Sequence, residues 1–177
     1  MIAIPTTPVP PIEAALTFLA PSSKTPRVLM PADRGGRIER TGSYEAVPVT
    51  IHDARRLPAP PTIDREGFAL AWSPSAVTDF LDPILVERFY YREVIALLKR
   101  ETGANEVHVF DHTVRVEDET TQRQLGLRQP VAFVHNDYTG RSAQQRVRDF
   151  FSPPEAARLL AGRIAFVNVW RSIGASA

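Results

Sequence analysis

A chain of 177 residues, 44% hydrophobic and 23% charged, has the composition of a packed protein and the length of one ordinary domain. With 21 Lys and Arg against 20 Asp and Glu, the net charge is only +1, which excludes the basic field that nucleic-acid binding requires. There is no cysteine, so disulfides, thiolate zinc sites and cysteine nucleophiles are excluded, and the composition fits a reducing cytoplasm.

Residues 1–11 lack the cationic stretch followed by an apolar core that marks a signal peptide. No apolar run approaches the roughly 20 residues of a membrane-spanning helix. The expectation is a soluble cytoplasmic protein with neither membrane nor nucleic acid as a partner. Eleven of the 16 prolines lie at or before Pro61, in a stretch that also holds Asp33-Arg34-Gly35-Gly36-Arg37. Proline fixes φ and removes a donor, so an extended arm of turns and short strands is predicted there, packed across a later sheet. Two pieces of it read as ordered: residues 12–19, and residues 46–51, whose β-branched side chains predict a strand.

From Ser73 the pattern turns helical. Ser73 or Ser75 can cap a short turn, and Asp82 followed by Pro83 opens a helix. Leu85, Phe89, Ile95 and Leu98 recur at roughly helical spacing, Lys99 and Arg100 suit the C-terminal dipole, and Gly103 is the stop. Tyr90 and Tyr91 read as packing residues. Strands are predicted over 107–116, over 131–137 after Pro130, and over 164–170. Between the last two, Ser142 with Gln145 matches a capping box that opens a helix with Val147, Phe150 and Phe151 inward. Pro153-Pro154 ends it and starts another helix through Leu160.

The segment Phe133-Val134-His135-Asn136-Asp137-Tyr138 holds the chemistry. In a strand, residues i and i+2 share a face, so His135 and Asp137 project together. An imidazole and a carboxylate so placed can grip one edge of an octahedral metal. One further histidine would complete a facial triad with three open positions, where a co-substrate and dioxygen can bind. The competing reading is a strand-end histidine bonded to its neighbouring aspartate. In 107–116, parity puts Asp111, Thr113 and Arg115 on one face and Phe110, His112 and Val114 on the other. Arg115 is predicted either to pair with Asp111 or to bind an anionic ligand. His112, among apolar neighbours, reads as a satisfied core histidine. Asn168 shares a face with Ile164, Phe166 and Trp170 and needs a polar partner if buried, with Arg171 at the segment's exit.

Six segments together resemble one family: residues 12–19, Val49-Thr50-Ile51-His52-Asp53-Ala54-Arg55, Glu66-Gly67-Phe68-Ala69-Leu70, residues 109–115, Val134-His135-Asn136-Asp137-Tyr138-Thr139, and Val167-Asn168-Val169-Trp170-Arg171. The family is the fungal and bacterial hydroxylase/desaturase group, which includes gibberellin desaturase-like and cephamycin 7α-methoxylase subunit-like proteins. The resemblance implies non-haem Fe(II), with 2-oxoglutarate as co-substrate and a small molecule of secondary metabolism as substrate. It also implies an α+β, mainly β fold: a partial double-stranded β-helix (a cupin-like jelly roll) with an N-terminal arm and flanking helices. His135 and Asp137 become metal ligands, and Arg115, Asn168, Arg171 and Tyr138 become candidates for binding co-substrate or substrate. The expected organisation is one domain over 1–177, with the proline-rich arm and short strands in 1–65 and the helices and first part of the β-helix in 66–177.

One departure matters. Such enzymes carry a distal histidine and then an arginine beyond the His-x-Asp pair, but the four histidines here are His52, His108, His112 and His135, and none follows. The expectation is a chain cut short at its C-terminus that binds iron weakly, does not turn over, and self-associates through exposed strand edges. The alternative is a non-catalytic binding or auxiliary subunit that keeps the half-barrel. Methyl transfer from S-adenosylmethionine, a third reading, lacks its Gly-rich strand-to-helix turn, since Gly35-Gly36 sits in a proline-rich loop.

Overall fold

The computed structural model describes residues 10–22, 24–29 and 39–174. They fall in two compact units, Met1–Val134 and His135–Ala177, taken here in turn. The Asp33–Arg37 run and residues 1–9 lie outside the described residues.

In the first unit, β1 (Ile12–Leu19) pairs antiparallel with β4 (Tyr44–Ile51) over eight residues, from Ile12 opposite Ile51 to Leu19 opposite Tyr44. The arm predicted to pack across a later sheet thus closes on itself. Within the pair, the Thr50 hydroxyl donates to Glu13 Oε1 at 2.7 Å, a directly opposed cross-strand bond. Pro48 sits opposite Ala15 and is tolerated because β4 has one partner strand among the described residues, so its missing N–H breaks no second ladder. The intervening hairpin pairs β2 (Val28–Leu29) with β3 (Glu39–Arg40). Gly42 then turns the chain back into β4 with φ +119°, and a Cβ there would meet Leu19 Cδ1 at 3.0 Å. Only glycine fits that turn.

Asp82 caps the next helix as expected, its Oδ1 accepting the N–H groups of Ile84 at 2.8 Å and Leu85 at 3.3 Å, with Pro83 in the first turn. The short α1 (Pro83–Leu85) runs through a π turn (Val86–Tyr90) into α2 (Tyr91–Thr102), which stops at Gly103 with φ 68°. The wider π turn inserts a residue and rotates the apolar face. Val86 and Val94 are therefore the buried residues, and Phe89, predicted to be inward, is exposed. Tyr90 packs edge-on against Phe80 at 5.0 Å, and Tyr91 against His112 at 5.6 Å with an Oη to Nδ1 hydrogen bond of 2.8 Å. Both tyrosines are packing residues, and His112 has the partner that a half-buried imidazole needs.

Two predicted strands of this unit do not form ladders. Along 107–116 the bridge is a single one, Arg115 with Arg128, supported by the Val116 N–H donating to the Arg128 carbonyl at 3.1 Å. The backbone contact of 131–134 with β1 is one bond, from the Val134 N–H to the Thr17 carbonyl at 2.8 Å, with Phe133 tilted against Tyr44. Between them lies a helix the sequence reading missed, α3 (Glu119–Leu125), capped by Asp118 and stopped by Gly126. Its Gln122 side chain donates to the Val116 carbonyl at 2.9 Å, which ties the helix to the 115–116 bridge.

The second unit packs α4 (Gly140–Phe150) against α5 (Pro153–Leu160). Val147 and Ala156 are the buried residues at that contact, while Phe150 is exposed under the Arg146 guanidinium, 4.3 Å from its ring. The capping box is Thr139 with Ser142, not Ser142 with Gln145, so α4 starts three residues earlier than predicted, directly after Tyr138. Only the later pair has the Glu or Gln that the sequence motif calls for. The earlier one prevails because Thr139 has extended backbone, with ψ 165°, and it exchanges bonds with Ser142 in both directions. Residues 164–170 carry no strand ladder among the described residues. No helix of the described residues is long and apolar enough to cross a membrane.

Candidate metal-binding site

Residues 135–138 lead straight into the capped N-terminus of α4, so the capping box fixes the exit of the segment that carries the site. His135 Nε2 lies 3.4 Å from Asp137 Oδ1, with side chains 39% and 48% exposed, an approach that fits both the metal-ligand expectation and that of a histidine bonded to its neighbouring aspartate. Two donors on adjacent vertices of an octahedron, each about 2.1 Å from a metal, stand about 3.0 Å apart. The observed pair is a few tenths of an ångström wider, within reach of a small side-chain rotation. Its mixture of one imidazole nitrogen and one carboxylate oxygen suits Fe(II) and related divalent ions.

Across from this pair runs the 164–170 segment. Asn168 Nδ2 donates to Asp137 Oδ2 at 2.8 Å, and the Phe166 ring stacks on Tyr138 with centroids 4.3 Å apart and planes at 34°. Asn168, singled out as a polar residue in need of a partner, finds it in the carboxylate of Asp137. Tyr138 finds an aromatic neighbour. Trp170 is 77% exposed and Arg171 half-buried.

Arg115 is engaged with the backbone of a neighbouring segment. Its Nη1 donates to the Gln129 carbonyl at 2.8 Å, and no Asp111–Arg115 ion pair forms among the described residues. The guanidinium thereby joins the two segments on either side of α3, within the first unit. No third His, Asp or Glu joins His135 and Asp137 in a metal-holding group among the described residues.

The family described as oxidoreductase/YMDC permease-like domain matches residues 16–177. An oxidoreductase of Emericella nidulans, AN1597, is 33% identical over 129 residues, covering 70% of this chain and 43% of that protein. The hydroxylase/desaturase CTB9 of Cercospora beticola is 33% identical over 141 residues, covering 73% of this chain and 44% of that protein. The chain therefore spans less than half the length of these two relatives. Among solved structures, the iron and alpha-ketoglutarate-dependent endoperoxidase NvfI superposes with a TM-score of 0.56 at 23% identity, over 86% of this chain and 56% of that one, which shows a shared fold. The chain belongs to the oxidoreductase/YMDC permease-like domain family, the hydroxylase/desaturase group that its six sequence segments resemble.

Proposed function

We propose that this chain carries the metal-binding part of an Fe(II)- and 2-oxoglutarate-dependent oxygenase that hydroxylates or desaturates a small molecule. The observation that carries the reading is the His135 Nε2 to Asp137 Oδ1 approach of 3.4 Å, in a segment braced by Asn168 and by the α4 capping box. Iron(II) held by such a pair would supply, with dioxygen and 2-oxoglutarate, the oxidising power to remove hydrogen from a substrate carbon. His135 contributes a nitrogen donor and Asp137 an oxygen donor whose charge offsets that of the metal. Arg171 is the cation assigned to an anionic co-substrate, and Tyr138 with Phe166 supplies apolar surface beside the pair. The same reading takes the whole of 1–177 as one domain built on a partial double-stranded β-helix. The likeness to NvfI supports that assignment.

Titration with Mn(II), a redox-stable substitute for Fe(II), tests the site by calorimetry with and without 2-oxoglutarate. His135→Ala and Asp137→Ala are each expected to weaken binding more than tenfold, and wild-type affinity in both variants refutes the reading. A second reading, a non-catalytic binding or auxiliary subunit, is favoured by one observation: the pair has no third ligand among the described residues. Succinate release by the 177-residue chain with Fe(II), 2-oxoglutarate and dioxygen separates the two readings. Metal binding without succinate favours the auxiliary role, and sustained release refutes it. Self-association through the edge of β4 that has no partner strand among the described residues belongs to the same proposal, and sedimentation reads it directly.

A further inference from the structure

We infer that Asn168 is a positioning residue that decides which oxygen of Asp137 is presented to the metal; this deepens the metal-binding reading and rests on it. A carboxylate has two equivalent oxygens, and rotation about its last torsion, which is broad and roughly two-fold, exchanges them. Asp137 is nearly half exposed, so solvent alone does not stop that rotation. The Asn168 amide does. Its Nδ2 holds Oδ2 at 2.8 Å, a charge-assisted bond if the carboxylate is ionised, while Oδ1 is the oxygen 3.4 Å from His135 Nε2. One oxygen is engaged by the amide and the other is left beside the imidazole, which favours one-oxygen ligation through Oδ1 over chelation by both.

The residue type matters. An amide donates without carrying charge, so Asp137 keeps the negative charge it offers a cation, whereas Lys or Arg at position 168 would cancel it. Placement is secured by a second contact between the same two segments. Phe166, two residues before Asn168, stacks on Tyr138, the residue after Asp137. The two contacts hold the amide against the carboxylate although they lie 31 positions apart in the chain. Asn168 itself is exposed, so its replacement removes little packing.

The test uses the full 177-residue chain, with Mn(II) affinity from calorimetry and the visible absorption of bound Co(II) as a report on ligand geometry. Asn168→Ala is expected to weaken Mn(II) binding about tenfold, within the range typical of residues that orient metal ligands, and to change the Co(II) spectrum. Asn168→Asp, nearly isosteric, removes the donor and sets a like charge against Asp137, and is expected to weaken binding further. Asn168→Gln, which keeps an amide donor, is expected to recover part of the loss. The apo proteins should keep the wild-type circular dichroism. Wild-type affinity and an unchanged Co(II) spectrum in Asn168→Ala, with His135→Ala still abolishing binding, overturns this inference alone. Wild-type binding by His135→Ala overturns the metal-binding reading and this inference with it.

Discussion

Replacing Thr139 by Ala should destabilise the second unit by about 1 kcal/mol, the usual cost of losing a Thr N-cap. The Thr139 hydroxyl accepts the Ser142 N–H at 3.2 Å, and the Ser142 hydroxyl accepts the Thr139 N–H at 2.9 Å, so each residue satisfies a donor that the first turn leaves open. Helix α4 has 11 residues, too few to hold together in water without its cap and its packing against α5. With a urea m-value of about 1–2 kcal/mol/M, the lost stability moves the midpoint down by about 0.5–1 M. Helicity at 222 nm against urea is the assay. Thr139→Ser keeps the acceptor and should stay within about 0.3 kcal/mol of wild type. Ser142→Ala removes the reciprocal bond, and because the two side chains interlock, the double variant should cost about 0.5 kcal/mol less than the sum of the single ones. Equal midpoints for wild type, Thr139→Ala and Thr139→Ser would refute the capping box. So would full additivity.

Other substitutions probe the first unit. Val86 is 2% exposed in the π turn, and Val86→Ala removes two methyl groups there, which should cost about 1.5–3 kcal/mol in chemical denaturation. Hydrogen bonds from the Thr121 hydroxyl and backbone N–H hold the Asp118 carboxyl below the ordinary Asp range. Its contribution to α3 is therefore present above about pH 4 and lost as pH falls through the lowered value. Wild type should lose helicity in acid more steeply than Asp118→Asn, and parallel acid curves would count against the cap. Burial, and then the nearby Glu87 and Asp111 carboxylates, raise the Tyr91 phenol above its ordinary value. The neutral phenol is favoured by folding, an advantage present below about pH 10 and lost as pH rises through the raised value. The ultraviolet difference between wild type and Tyr91→Phe should titrate above about pH 10.

The sequence was legible where structure is written in short-range chemistry. The start of α1 at Asp82–Pro83 and the stop of α2 at Gly103 follow from capping rules within a few residues. Residues 12–19 were legible as an ordered piece and 46–51 as a β-branched strand, and in the structure they pair as β1 and β4, with β4 starting at Tyr44. Alternation over 107–116 and 131–137 was a weaker guide. It says which side chains could share a face but cannot supply a neighbour, and in the structure these stretches make isolated bonds to Arg128 and Thr17. The π turn was invisible for another reason: Leu85 and Phe89 fit an ordinary helical repeat, and nothing local announces the inserted residue that buries Val86. Helix α3 did carry a signal that was passed over, Asp118 before a polar helix-forming run and Gly126 after it.

The candidate site divides along the same line. His135 and Asp137 are two residues apart in the chain, so their 3.4 Å approach needs no long-range information, although the segment forms no strand ladder. The sequence marks Asn168 as a polar residue among apolar neighbours and Arg115 as a cation that pairs with Asp111 or binds an anion, and in neither case does it identify the partner. Arg115 donates to a backbone carbonyl 14 residues away and so joins two segments. Asn168, though exposed, donates to the carboxylate of Asp137. The two side chains therefore differ in the type of partner they meet. A carbonyl asks nothing further of the cation that caps it. A carboxylate with one oxygen engaged and the other facing an imidazole still has lone pairs to offer a ligand.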